Sequence, residues 1–288
     1  MAESNSSGNT IDFKLYRYSP SLPAAIVAFV LFLSLTTWHL LKLIRHKSYY
    51  FTAFIIGGLC QTIGYCGRIV SHFNNNSIPA YSVQAILILI APALFAASVY
   101  MILGRVILAI HSSHLSLIPV HLLTKAFVLG DIISFTLQAA GGGIQAAGTL
   151  ELYHLGEKII VIGLFIQMIV FGFFIITSIV FNKRIRQRPT RMSVSAKLPW
   201  QRHLTILYIV SGIILVRSIF RVVEYLGGND GYLIRHEIFL YAFDSILMAG
   251  VMAIFLVFYI DDLGKNDVKD REELDLSIGN LQPCTNAC

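Results

Sequence analysis

Charged and hydrogen-bonding side chains recur at helical spacing inside several long apolar segments of this chain. Gln61, Tyr65 and Arg68 follow an i, i+4, i+7 pattern, which places them on one face of a helix. Polar groups of this kind are costly in a bilayer, so they normally face a bundle interior or a wet cavity. Three further stripes consist of Asp131, Ser134, Gln138 and Gln145; of Arg217, Arg221 and Glu224; and of Glu237, Tyr241 and Asp244. Four polar helix faces favour a shared polar pocket inside a bundle.

The composition indicates that these helices span a membrane. Of the 288 residues, 56% are hydrophobic and 13% are charged, whereas soluble domains carry about 25% charged residues. A spanning helix needs roughly 20 mostly apolar residues, and the pattern predicts an all-α protein with seven of them. The predicted spans are Pro23–Leu41, Tyr50–Val70, Tyr81–Ile110, Leu122–Gly148, Ile159–Asn182, His203–Leu226 and Glu237–Ile260.

The distribution of Lys and Arg predicts the orientation. Loops one, three and five are basic and contain no acid, whereas the even-numbered loops hold Glu151, Glu157 and Asp230. By the positive-inside rule the N-terminus is outside and the C-terminus is cytosolic. Residues 1–22 are then an extracellular segment, 23–260 the transmembrane domain and 261–288 a cytosolic tail. Two N-x-S sequons, at Asn5 and Asn75, fall on the outer side as glycosylation candidates.

The net charge of +6 does not indicate a nucleic-acid partner. The tail after Ile260 holds seven acids and three bases, so the remainder of the chain is near +10. This excess fits the positive-inside pattern and attraction to an anionic inner leaflet. The basic loop over residues 183–202 contains Ser193 and Ser195, and it is a candidate contact for cytosolic regulators.

A symmetric turn between spans six and seven predicts which of their charges share a depth. Arg217 then lies level with Asp244 as an ion pair, and Glu224 level with Glu237. The second pair needs a cation, which Arg68, Arg221 or Arg235 would supply. A helix clamp and a ligand headgroup site both explain these charges.

Two further features favour structural roles. Arg105 and Asp131, near the cytosolic ends of spans three and four, are predicted to form a structural pair. The triplet Gly141, Gly142 and Gly143 in span four is either a close packing surface or a hinge.

The sequence argues against catalysis. Seven-span zinc hydrolases need three or four ligands that converge on the metal. Of nine histidines, most fall in or beside loops, and no span contains a His-x-x-x-His pair. The chain also has no Walker-type G-x-x-x-x-G-K-[ST], which excludes direct ATP-driven export. We expect no enzyme activity, no cofactor and no metal.

Three stretches carry a family resemblance. The sequences GDIISFTLQAAGGG (residues 130–143), RSIFRVVEY (217–225) and HEIFLYAFDSILM (236–248) resemble the fungal lipid-translocating exporter family. That family contains the yeast proteins of 7-aminocholesterol resistance and of sphingoid long-chain-base resistance. The elements Tyr16-x-Tyr18-x-Pro20 and Gly64-Tyr65-x-x-Arg68 fit the same family, so the resemblance covers about residues 16–261.

The resemblance implies a seven-span protein, commonly of the fungal plasma membrane. It implies binding and translocation of amphipathic lipids such as sphingoid bases, with resistance to toxic amphipaths. A receptor-like lipid sensor and a porphyrin transporter are the alternatives. Membrane lipids, sphingoid bases and a second copy of the chain are the expected partners. For the headgroup the candidates are Tyr65, Arg68, Gln138, Gln145, Arg217, Arg221, Glu224, Glu237, Tyr241 and Asp244.

Overall fold

The computed structural model describes residues 21–46, 48, 51–73, 78–110, 112–113, 116–145, 150–189, 200–227 and 237–258. Within these ranges the chain is helical and has no strand. Seven helices are long and apolar enough to cross a membrane, which confirms the predicted fold class. They are α1 (Leu22–His46), α2 (Thr52–Phe73), α3 (Ile78–Ala109), α4 (Val120–Gln145), α5 (Leu150–Gln187), α6 (Trp200–Leu226) and α7 (Glu237–Val257).

The helix α5 is longer than the span Ile159–Asn182 that the apolar run predicts. Its 38 residues correspond to about 57 Å at 1.5 Å per residue, well beyond a 30 Å hydrocarbon core. The sequence after Asn182 is basic, but it holds nothing that breaks a helix before Pro189. A proline disfavours helical geometry in the residue before it, so the helix ends near this position.

Large apolar side chains cover the outside of the bundle. Val27, Ile44 and Ile169 are each about two-thirds exposed, and comparable residues occur on α2, α4, α6 and α7. Soluble monomers rarely expose continuous apolar surface on this scale. The exposed faces are therefore lipid-facing, as expected for a polytopic membrane protein.

Consecutive helices pack side by side, and α7 returns to contact α1. The most buried span belongs to α3, which also contacts α6 and α5 across the bundle. Aromatic rings fill the core between α1, α2, α3 and α7, where Phe54 lies 4.7 Å from Phe95 and 5.3 Å from Phe255 between ring centroids. The helix α3 therefore contacts its sequence neighbours α2 and α4 and also α5 and α6.

Glycine lets the backbones of α4 and α5 touch. A Cβ on Gly141 would lie 2.7 Å from the carbonyl oxygen of Gly156, and one on Gly163 would lie 2.8 Å from that of Ser134. Small residues at such positions are the usual means of close helix packing in membranes. By contrast, Gly142 and Gly143 have no atom within 4 Å of an added Cβ. Packing therefore accounts for Gly141 and not for the other two members of the triplet.

A matched pair of valine substitutions tests this contact. We expect Gly141→Val to lower the free energy of unfolding by about 1–3 kcal/mol relative to Gly142→Val, because only the first forces the two backbones apart. Both changes alter helix propensity equally, so their difference isolates the contact. Thermal unfolding of the purified proteins in detergent measures it, and equal unfolding midpoints would contradict the packing role.

Candidate functional site

Six charged side chains meet near the end of the bundle where Ser21 precedes α1. Arg68 comes from the last turns of α2; Arg217, Arg221 and Glu224 from the last part of α6; and Glu237 and Asp244 from the start of α7. We call these six residues the ionic network. All are buried or half-buried. Each helix contributes residues of one face, as their spacing predicts.

The outer part of the network joins α2 to α7. Arg68 donates to the Glu237 carboxylate at 2.7 Å and to the Tyr241 hydroxyl at 3.1 Å. The same carboxylate accepts the backbone N–H of Ser21 at 2.9 Å. Glu237 thus ties the beginning of α1 to α2 and α7. Its side chain is 16% exposed, more than any other acid of the network.

The inner part of the network joins α6 to α7 through Asp244. One carboxylate oxygen accepts a hydrogen bond from Nε of Arg217, and the other accepts one from the guanidinium of Arg221 at 3.2 Å. Arg221 also donates to Glu224 at 2.9 Å. The predicted pair of Arg217 and Asp244 is therefore present, and Glu224 and Glu237 receive separate cations, Arg221 and Arg68. Each of the three acids is matched by at least one guanidinium, as burial of charge requires.

A proline in α3 supplies a further acceptor for Arg217. In a regular helix the Ile88 carbonyl would accept from the residue four positions later, but that residue is Pro92, which has no N–H. The guanidinium of Arg217 donates to this carbonyl at 3.4 Å. Pro92 is visible in the sequence and indicates that the Ile88 carbonyl lacks its helical donor. That Arg217 is the group that donates to this carbonyl is seen only in the structure.

The first residues of α7 form an unusual helix. After one α-helical turn, Tyr241–Ile246 is π-helical, and regular α-helix resumes at Leu247. Such wide turns occur frequently at functional sites. This turn contains Tyr241 and Asp244, so it sets the direction of two network contacts. Nothing in the apolar pattern of the segment predicts it.

Unpaired polar groups lie beside the network on α2. Tyr65 is fully buried, and its ring stacks on Phe32 at 5.3 Å and on Tyr241 at 6.2 Å between centroids. Among the described residues, neither amide atom of the fully buried Gln61 has a hydrogen-bond partner, and the Tyr65 hydroxyl makes no hydrogen bond of normal geometry although Ser245 of α7 lies beside it. Buried polar atoms are normally satisfied by protein or by water. These groups are therefore available to a bound polar molecule.

The predicted residues of α4 lie elsewhere. Gln138 donates to Gln167 of α5 at 3.0 Å, and the side chain of Gln145 lies against Gly156 of α5. The predicted single pocket of four helices is thus divided, because the polar face of α4 turns toward α5. Tyr65, Arg68, Arg217, Arg221, Glu224, Glu237, Tyr241 and Asp244 stay together at the network.

The structure also corrects the pair of Arg105 and Asp131. Asp131 accepts a hydrogen bond from the Tyr100 hydroxyl at 3.0 Å, and no ion pair joins it to Arg105 within the described ranges. The reason is depth. Arg105 is four residues from the end of α3, about 6 Å, whereas Asp131 is eleven residues from the start of α4, about 17 Å.

Several predicted features lie outside the described residues. They are the sequons at Asn5 and Asn75, Arg235 in the turn before α7, most of the basic loop between α5 and α6, and the acidic tail. The orientation of the termini stays a prediction.

Seven spanning helices with a buried ionic network define a polytopic membrane protein. Residues 54–266 match the profile of the family described as "RTA1 like protein". The chain belongs to this RTA1-like family, as the resemblance of its motifs predicts.

Named relatives from Saccharomyces cerevisiae support the same assignment. Protein RTM1 is 36% identical over 88% of this chain and 93% of its own length. Protoporphyrin uptake protein 1 is 36% identical over 85% of this chain and 91% of its own. Sphingoid long-chain base transporter RSB1 is 26% identical over 83% of this chain and 72% of its own. No solved structure matches the chain.

The double contact of Asp244 predicts an asymmetry between the two members of its pair. Asp244→Asn leaves Arg217 buried without an acid, so we expect a loss of about 3–5 kcal/mol in unfolding free energy. Arg217→Gln costs less, because Asp244 keeps Arg221. The double variant should be more stable than Asp244→Asn alone. Thermal unfolding of the three purified variants measures this order, and equal single-variant losses would contradict the bridging role.

Proposed function

We propose that this protein binds amphipathic molecules with a cationic head, such as sphingoid long-chain bases, and moves them across the fungal plasma membrane. The buried ionic network is the observation that carries this proposal. A clamp between two helices needs one ion pair, whereas here three arginines and three acids join α1, α2, α6 and α7. The transport function that the printed name of RSB1 gives to that relative supports the same proposal.

The charge balance of the network determines how an ammonium group would bind. Each acid already has a guanidinium partner, so a ligand cation must replace one arginine at a carboxylate. Glu237 is the most accessible acid, and its partner Arg68 also contacts Tyr241. We propose that the ammonium takes Glu237 and that Arg68 moves away. The hydroxyls of a sphingoid base would then reach the Tyr65 hydroxyl and the Gln61 amide, which has no hydrogen-bond partner within the described part of the chain.

Replacement of one ion pair by another gives a low net binding affinity, which favours transport over tight binding of the ligand. Desolvation of the incoming ammonium costs several kcal/mol, and the new pair with Glu237 offsets part of that cost. The released Arg68 has to find another acceptor or water, which limits the net affinity. Weak net binding allows the ligand to leave again on the other side.

Porphyrin transport is a second candidate, because the identity to protoporphyrin uptake protein 1 exceeds that to RSB1. Protoporphyrin carries carboxylates and holds no iron, so it needs arginines and no axial histidine. Arg68 and Arg221 would bind its carboxylates, and the released acids would be Glu237 and Glu224. The two ligand classes would therefore bind the same network with opposite charges, the sphingoid ammonium at an acid and the porphyrin carboxylates at arginines.

One reconstitution separates the candidates. Purified full-length protein in liposomes receives either a fluorescent sphingoid base or protoporphyrin, and transbilayer movement is followed by quenching from outside. Faster movement of the sphingoid base than in protein-free liposomes supports the first proposal, and faster movement of protoporphyrin alone supports the second. Binding of a probe without movement indicates a sensor and contradicts both.

The substitution Glu237→Gln tests the ammonium contact. The amide oxygen still accepts from Arg68, but the negative charge is lost, so we expect at least a tenfold lower rate of sphingoid-base movement. In cells the same variant should lose tolerance to sphingoid bases at unchanged surface level. Glu151→Gln, at an exposed acid in the first turn of α5, is the matched control. Normal transport by Glu237→Gln would refute the assignment.

A further inference from the structure

A further buried acid, Asp131, lies between α3, α4 and α5, apart from the ionic network. Asp131 is 5% exposed, and its only described contact is the hydrogen bond from Tyr100 to Oδ2. The other oxygen, Oδ1, is buried and has no hydrogen-bond partner within the described ranges. The rings of Phe127, Phe171 and Phe174 surround Tyr100 with centroid distances between 4.6 and 6.1 Å. The carboxyl group therefore sits at an apolar, aromatic position near the middle of α4.

Among the described residues of α3, α4 and α5, no basic side chain forms an ion pair with this acid. On α3, Arg105 lies five residues beyond Tyr100, about 8 Å along the axis, and on α4 the exposed Lys125 lies about 9 Å away. On α5, Val170 packs on Gly130 beside Asp131. The nearest α5 cations, Lys158 and Lys183, are each about 18–20 Å from Val170.

The environment of Asp131 fits a carboxylic acid better than a carboxylate. An isolated ion in an apolar medium costs many kcal/mol, so such a group takes up a proton instead. A carboxylate that stays ionised when buried accepts two or three hydrogen bonds, whereas Asp131 accepts one. Metal cations such as Na⁺ need several oxygen ligands in place of their water, and this site offers the carboxyl group and one hydroxyl. A proton is the cation that the site can hold.

A row of polar side chains leads from this acid toward the Ser21 end of the bundle. Ser134 and Gln138 lie one and two turns further along α4, both are buried, and Gln138 is bonded to Gln167 of α5. The row continues to Gln145, about 21 Å from Asp131 along the axis. Gly163 lies against Gln138, which leaves the amides room at this contact. The row places hydrogen-bonding side chains between Asp131 and that end of the bundle.

We propose that Asp131 is the proton-binding group that couples substrate movement to a proton gradient. This inference rests on the proposed transport function, since coupling requires a transported molecule. In the conformation described here Asp131 holds the proton. When helix movement admits water, the carboxylic O–H bond breaks, the proton leaves to one side, and the carboxylate later takes up another from the opposite side. One proton is bound and one is released in each cycle.

The protonation of Asp131 is testable without any substrate. Infrared difference spectra of the purified protein after a pH jump should contain a carboxylic C=O band that Asp131→Asn removes. Tyr100→Phe should keep the band at a higher frequency, because the hydrogen bond to the carbonyl oxygen is lost. Difference spectra that Asp131→Asn leaves unchanged, or no carboxylic band in the wild-type protein, would overturn the proton site.

Coupling is tested in the same liposomes with an imposed pH gradient. We expect the gradient to accelerate probe movement at least threefold in the wild-type protein and in Glu151→Gln, and to have no effect in Asp131→Asn. Acceleration that persists in Asp131→Asn, or that a sodium gradient produces instead, would overturn the inference. If no probe moves under any condition, the transport function fails, and the infrared result alone decides whether Asp131 binds a proton.

Discussion

The pairing of buried charge inside the membrane is the constraint on which this structure depends. Asp244 accepts from two arginines of α6, and Glu237 accepts from Arg68 of α2 and from the backbone before α1. Any movement that separates these helices exposes an unpaired ion to an apolar medium, at a cost of several kcal/mol. The helices can therefore rearrange only if another ion or water replaces the lost partner, which connects conformational change directly to ligand charge.

The apolar pattern was sufficient to predict the seven spans and the class of fold, because the bilayer imposes length and hydrophobicity on each helix. Depth counted from the turn between α6 and α7 was sufficient for the pair of Arg217 and Asp244, since both positions refer to one turn. The pair of Arg105 and Asp131 was predicted only from their nearness to the cytosolic ends of spans three and four, and the structure does not bring the two together. Their depths depend on where α3 ends and α4 begins, which the apolar pattern gives only approximately.

Helix rotation explains the remaining differences. Periodicity identifies the polar face of α4 but cannot say which neighbour it meets, so Gln138 was assigned to the common pocket although it faces α5. The glycine triplet is similar, because only contact with Gly156 distinguishes Gly141 from its neighbours. The π-helical turn of α7 has no composition of its own. Backbone irregularities of this kind arise from tertiary contacts, which a single sequence does not contain.

The missing hydrogen bond at Pro92 gives α3 a mechanical role. Before the proline, the Ile88 carbonyl is held by Arg217, and about 18 Å further along the same helix Tyr100 is held by Asp131. A helix that lacks one backbone bond bends more easily there than elsewhere. The weakened point of α3 thus lies between its contact with the ionic network and its contact with Asp131. A shift of Arg217 beside Ile88 would change the bend of α3 at Pro92. The same bend would move Tyr100 and weaken or break its hydrogen bond to Asp131.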